Sequence, residues 1–418
     1  MLDHRELKVL VVSSKYPPEY SGSGLRAHKT YLRLQNKYNV NFEVVCSSTA
    51  SNLSKKYQLD GINVERIVSK STRNIERTLL HTPVRRITKA LVAYKEAQAV
   101  RKKLADTSFD MIHTFGYSPA TMTAISWSRS HQIPLALEIV NPVSTPYQPL
   151  PGIGIFSKQD LNPQCMIVAI SESIGEMCAT HGLANNVWVR PNPVDTSRFS
   201  IPSSETKAVA RNKISSAGPN EKLIVYVAKY ITRKNHSFLI DVMALLPKSY
   251  RLVLAGPPLT DRDPVPGLTA SEIPSLEKKA SKLGVHDRVE ISHGFVDMAQ
   301  YIAAADVFCF PAENEAMGTP ILESISSGVP VVANANEPSF QEWIEEGENG
   351  YLAQLEPILW AKLITKAAEF SLDKKAVMAS KVNSIASTDL VDSQYYQLLQ
   401  SLIEITPKEQ LNVSRVLA

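Results

Sequence analysis

The stretch Glu315-Ala316-Met317-Gly318-Thr319-Pro320-Ile321-Leu322-Glu323, followed by Gly328-Val329-Pro330-Val331-Val332-Ala333, decides how this chain is read. Thr319 is suited to cap a helix and Pro320 to take its first position, where a missing N–H costs nothing; Gly328 then stops the helix. An apolar strand follows. The helix N-terminus therefore falls beside Gly318, and its unpaired N–H groups, reinforced by the helix dipole, make a site for phosphate. Glu315 precedes the helix and Glu323 lies in its second turn, two carboxylates that suit hydroxyls rather than phosphate. Spacing alone carries no weight, because the same separation recurs at Glu337/Glu345 and Glu348/Glu356.

Outward from this block, apolar runs at 223–228, 251–255, 289–292 and 307–310 read as buried parallel strands, with a helix at 236–245 after the first. A similar series fills the N-terminal half, with strands at 8–13, 40–46, 111–113, 135–139, 166–169 and 187–189 and a helix at 25–35 between the first two. Strand–helix alternation of this kind predicts two doubly wound, Rossmann-like α/β domains. A polar stretch rich in Ser and Pro at 196–220 reads as the linker. The expected division is therefore 1–195, linker 196–220, 221–387, and a last helical segment at 388–418.

At 418 residues, two domains are the prior expectation, and 44% hydrophobic with 21% charged residues fits a globular chain. Cys46, Cys165, Cys178 and Cys309 fall singly, without the paired Cys/His spacing of structural zinc, and read as small core residues. No clustered carboxylates suit a divalent cation, so neither metal nor cofactor is expected. No leading apolar segment resembles a signal peptide and no run is long enough to span a bilayer, which predicts a cytoplasmic chain.

The net charge is only +4, yet residues 55–103 hold about 13 Lys and Arg against about 4 acids. Arg85, Arg86, Lys89, Lys95, Arg101, Lys102 and Lys103 interleave with Val84, Ile87, Leu91, Val92 and Val100 on an expected helix. Such a helix suits either a solvated face or an anionic membrane surface, here the inner face, through 84–103. Nucleic-acid motifs and interleaved aromatics are missing, so nucleic acid is not an expected partner.

The block 315–332 resembles the signature of the retaining nucleotide-sugar glycosyltransferases of family 4, E-x-F-G, then E-A and G-x-P-V-V. The resemblance implies a GT-B fold: two Rossmann-like domains facing a cleft, with the last helix crossing back to the N-terminal domain. By the same resemblance, Glu315 orients the donor sugar, Ala316, Met317, Gly318 and Thr319 hold the diphosphate, and Glu323 binds the ribose. Lys229-Tyr230-Ile231-Thr232-Arg233-Lys234-Asn235 is similar to the family segment that supplies two diphosphate-binding cations, placing those roles on Lys229 and Lys234. Lys229 departs from the family Arg and loses its planar fork. Gly22 and Gly24 match the family's Gly-rich first loop.

Several relatives carry a His after the strand at 135–139. This chain has Glu138 and Asn141 there as the alternative acceptor or sugar contacts. His113 reads as a hydrogen-bonded core residue, and Pro191-Asn192-Pro193-Val194-Asp195, similar to the family's hinge turn, as structural. The implied activity is retaining, metal-independent transfer of a hexose-type sugar from a UDP- or GDP-linked donor to a hydroxyl of a glycan or lipid-linked acceptor. A non-catalytic nucleotide-sugar-binding subunit and an epimerase of the same fold share these features.

Overall fold

The computed structural model describes residues 5–19, 22–48, 53–69, 81–140, 164–180, 184–258, 272–315, 317–405 and 411–417. The chain divides into two compact units, Met1–Pro191 with Val391–Ala418, and Asn192–Leu390.

The first unit is built on β1 (Leu7–Ser13), β2 (Val40–Ser48), β3 (Lys56–Leu59), β4 (Ile62–Val68), β5 (Met111–Phe115), β6 (Leu135–Ile139), β7 (Cys165–Ala169) and β8 (Val187–Val189). Their order is β3-β4-β2-β1-β5-β6-β7-β8. Every neighbouring pair is parallel except β3 with β4. β5, β6 and β7 are buried at every residue, as expected of strands covered on both faces. The β3–β4 hairpin was not among the expected strands. It turns through Asp60 and Gly61, both at positive φ (47° and 86°), the conformation that an Asp-Gly pair accommodates.

The helix Thr388–Glu404 is part of this unit's core. Val391, Tyr395, Leu398, Leu399 and Leu402 are no more than 1% exposed and pack in one cluster with Val9, Val11, Tyr31 and Phe42. Asp392 accepts from Arg33 Nε and Nη2 at 2.6 and 2.9 Å. Leu398→Ala is expected to cost about 2–5 kcal/mol through lost burial and a residual cavity. A shift of the denaturation midpoint in the first unit's unfolding measures it; a wild-type midpoint would contradict this packing.

The second unit holds β9 (Lys222–Val227), β10 (Tyr250–Gly256), β11 (Val289–His293), β12 (Val307–Phe310), β13 (Val331–Asn334) and β14 (Gly350–Ala353). They form an all-parallel sheet in the order β11-β10-β9-β12-β13-β14, so the strand order reverses between β9 and β12. The stretch 196–220, expected as a linker, belongs to this unit and contains the helix Ser204–Ile214. Few of that helix's residues are buried; Lys207 and Arg211 tie it to Asp306 at 2.7 and 2.8 Å. All four cysteines are buried and free.

Candidate functional site

In the second sheet the loop after β9 carries Lys229 to Asn235 and the loop after β12 carries Pro311 to Gly318. β9 and β12 are neighbours and parallel, so two segments some eighty residues apart emerge side by side at the carboxyl edge, where the strand order reverses. Open α/β sheets bind ligands at such a point. The β9 loop is seated closely on β10: Ala228 N donates to Ala255 O at 2.9 Å and Tyr230 N to Pro257 O at 3.1 Å. A Cβ at Gly256 would lie 1.9 Å from Ala228 O, so only glycine fits there.

The β12 loop is fixed by many hydrogen bonds. Glu337 accepts from the amides of Asn314 and Glu315 at 2.7 and 2.9 Å, and Ser339 Oγ donates to Glu315 O at 3.1 Å. Asn235 Nδ2 donates to Pro311 O at 3.0 Å, and Arg233 Nη1 to the carbonyls of Glu313 and Asn314, both at 3.2 Å. This holds Asn314 in the left-handed region, φ 57°. The Glu315 side chain then meets both Lys234 Nζ and Arg233 Nη1. Lys234 is 12% exposed and its ammonium lies 5.4 Å from the centre of the Phe310 ring. Burial lowers its pKa, and the Glu315 charge opposes that effect.

The helix Thr319–Ser326 begins as expected, but its cap differs. Gly318, at φ 70°, is the N-cap; Thr319 and Pro320 are the first two helical residues, and no side chain caps the helix. The Thr319 hydroxyl is instead engaged by Asn192 Nδ2. Among the described residues none accepts from the backbone N–H groups of Gly318 and Thr319, while Ile321 N returns to Gly318 O at 2.8 Å. Gly328, φ 68°, ends the helix. Met317 is buried in the loop and Glu323 is half-buried in the second turn. Lys229 is half-buried just past β9. Ala316 lies outside the described residues.

The positions expected in the first unit behave differently. Gly22 and Gly24 lie in the first turn of the helix Gly22–Lys37 rather than in a loop before it, and neither has positive φ. Glu138 is 1% exposed at its side chain and does not present a free carboxylate. Arg26 and Arg190 both donate to its Oε1, the latter at 3.0 Å, and His113 Nε2 lies 3.4 Å from Oε2. Burial would raise its pKa, but the two guanidiniums overcome this and hold it well below the usual carboxylate range. His113 also bonds the Tyr31 hydroxyl at 2.8 Å, as a core histidine does. Asn141 lies outside the described residues.

Two residues absent from the expected site are central to its geometry. Arg233 was legible as a basic residue beside Lys234, but its contacts with Glu313, Asn314 and Glu315 need the fold. Glu337 carries no local signal. Glu337→Ala leaves two loop amides without their acceptor, at about 1–3 kcal/mol each. We expect weaker nucleotide binding by roughly tenfold or more, with the donor KM moving more than kcat; an unchanged KM would remove Glu337 from the account. Among the described residues no group of three or more His, Cys, Asp or Glu is placed to hold a metal ion.

Comparison with known proteins places this site in context. Residues 210–381, inside the second unit, match the family described as glycosyl transferases group 1. The lipopolysaccharide core biosynthesis glycosyltransferase LpsE of Rhizobium meliloti is 30% identical over 194 residues, 46% of this chain and 50% of its own. The lipopolysaccharide core biosynthesis mannosyltransferase LpsB of the same organism is 27% identical over 53% of this chain and 60% of its own. The chain thus spans about half the length of these curated relatives. Among solved structures, HepE of Anabaena in complex with UDP and glucose superposes with a TM-score of 0.68 at 19% identity, covering 94% of this chain and all of that one. The fold is GT-B, two Rossmann-like α/β domains, and the segment 210–381 within it is similar to the glycosyl transferases group 1 family.

Proposed function

We propose that this chain is a retaining, metal-independent glycosyltransferase of family 4. It would move a hexose-type sugar from a UDP- or GDP-linked donor to a hydroxyl of a glycan or lipid-linked acceptor in cell-surface polysaccharide synthesis. The observation that carries this reading is the convergence of Lys234 and Arg233 on Glu315, three residues ahead of the Gly318 helix cap, at the reversal of the second sheet.

The bond from the anomeric carbon to the diphosphate breaks with its electron pair on phosphate, and a bond to the acceptor oxygen forms on the same face. The acceptor proton passes to the departing phosphate oxygen. Lys229 and Lys234 would neutralise the growing charge, together with the loop and helix amides. Glu315, held by two cations, would orient sugar hydroxyls, and Glu323 would bind the ribose.

The LpsE and LpsB matches, both named for lipopolysaccharide core synthesis, support an acceptor of that kind. The helix His81–Asp106 supports a peripheral place at the inner face of the membrane. Its exposed side chains include Val84, Ile87, Leu91 and Tyr94 among basic residues, and no described helix is long and apolar enough to cross a bilayer. Flotation with anionic vesicles tests that part; indifference to anionic lipid would count against it.

The reaction is tested by incubating the protein with UDP- and GDP-sugars and lipopolysaccharide-type acceptors, with and without EDTA. Acceptor-dependent release of nucleoside diphosphate, insensitive to EDTA and with the anomeric configuration retained in the product, is expected. Nucleotide binding without turnover would instead indicate a binding subunit, and an altered sugar nucleotide formed without acceptor an epimerase.

A further inference from the structure

We propose that Arg26, backed by Arg190, forms an oxyanion site in the first unit that takes a phosphate or carboxylate group carried by the acceptor. This rests on the proposed transfer to an acceptor and adds that the first unit, where the resemblance implies acceptor or sugar contacts at Glu138 and Asn141, receives it, while the site itself stands on its own charges.

Arg26 and Arg190 share one oxygen of Glu138, with side chains 13%, 1% and 1% exposed respectively. Among the described residues, the other groups around them do not supply a second negative charge. Burial lowers the pKa of His113, so it is neutral, and raises those of Tyr31 and Tyr395, so they keep their protons. Among the described residues the cluster therefore holds two cations and one anion, in a place largely withdrawn from water. A buried charge without a counter-charge is strongly disfavoured.

Arg190 has partial compensation, its guanidinium lying 5.6 Å from the centre of the Tyr395 ring and 6.0 Å from that of Trp188. Arg190 Nε is nonetheless buried with no hydrogen-bond partner, and among the described residues Arg26 makes no cation–ring contact. Its Nη1 is buried with no hydrogen-bond partner. It also stands near the N-terminus of the helix Gly22–Lys37, whose first turn holds no acid, so the helix dipole adds to the positive field instead of opposing it.

Glu138 lies at the carboxyl end of β6, Arg190 directly follows β8 and the helix carrying Arg26 follows β1. The cluster thus gathers at the carboxyl edge of the first sheet, the edge at which such sheets receive ligands. A guanidinium fork with a free N–H matches the oxygens of phosphate or carboxylate.

The test is thermal unfolding of the full chain at pH 7 with inorganic phosphate or acetate, against chloride at matched ionic strength, for wild type, R26Q, R26K and K234A. Wild type is expected to gain stability with at least one of the two anions beyond the chloride control, and that anion names the group. R26Q loses the gain, R26K needs roughly tenfold more anion to reach it, and K234A keeps it because Lys234 belongs to the second unit. No gain in wild type, or a gain that survives in both Arg26 variants, overturns the proposal. So does a gain lost only in K234A, which assigns the anion to the donor site. If R26Q does not fold, R26K against wild type decides. Nucleotide binding is read separately, so failure of either reading leaves the other testable.

Discussion

Lys234→Ala is expected to lower turnover by about 10²–10³-fold, the effect of removing one preorganised donor from the place where charge develops. The argument rests on how firmly the structure places this ammonium. It is 12% exposed, lies against the face of Phe310 and is bonded to Glu315, whose backbone is in turn clamped by Glu337 and Ser339. A cation so placed needs no reorganisation when the diphosphate departs. The substitution also leaves Glu315 with Arg233 alone among its two cationic partners, so sugar orientation should loosen as well. Steady-state release of nucleoside diphosphate measures the effect, with circular dichroism to show that the variant is folded. Near-normal turnover in a folded variant would take Lys234 out of the mechanism.

Gly318→Val should both destabilise the second unit and disturb the start of its Thr319–Ser326 helix. The backbone at Gly318 has φ 70°, a conformation that costs an ordinary residue about 1–2 kcal/mol and a β-branched one more. An added Cβ would also lie 2.7 Å from Phe340 Cε1 and 3.0 Å from Phe310 Cε1, in a buried aromatic stack that has little room to give. Overpacking adds about 1–3 kcal/mol. The expected sum of about 2–5 kcal/mol corresponds to a fall in the second unit's melting temperature of roughly 5–15 °C. Because the helix start is displaced, nucleotide binding should fall as well. A variant that melts like wild type and binds nucleotide normally would show that neither the strain nor the amide cradle is real.

These two residues also show what local rules can and cannot read. Thr319 followed by Pro320 has the pattern of a cap and first helical residue, and the helix does begin there. The cap is Gly318 because the Phe310–Phe340 stack leaves no space for a side chain and the left-handed turn suits glycine, a tertiary effect with no trace in the neighbouring residues. The parallel strands were legible because burial on both faces demands continuous apolar runs such as 223–226 and 135–139.

The helix Ser204–Ile214 was not legible. Ser203 caps it locally, but what ties it to the unit is Lys207 and Arg211 reaching Asp306, about a hundred residues away, rather than a broad apolar stripe. Glu337 was hidden in the same way, because its partners are the amides of Asn314 and Glu315 on a loop more than twenty residues earlier. For Glu138 the sequence suggested an acceptor or sugar contact; the approach of Arg26 and Arg190, from the helix after β1 and the end of β8, makes it a buried ion-paired carboxylate instead. Lys234 and Glu315 were legible separately; their contact follows from β9 and β12 being neighbours.

The central claim is a nucleotide-sugar donor site on the second unit. Its most direct test is a calorimetric titration of the purified chain with UDP, GDP and ADP, without added metal, on wild type and Glu323→Ala. The account predicts that one nucleoside diphosphate binds selectively and that the substitution weakens it. Binding of none of the three by a demonstrably folded protein, or equal affinity in the variant, would contradict it.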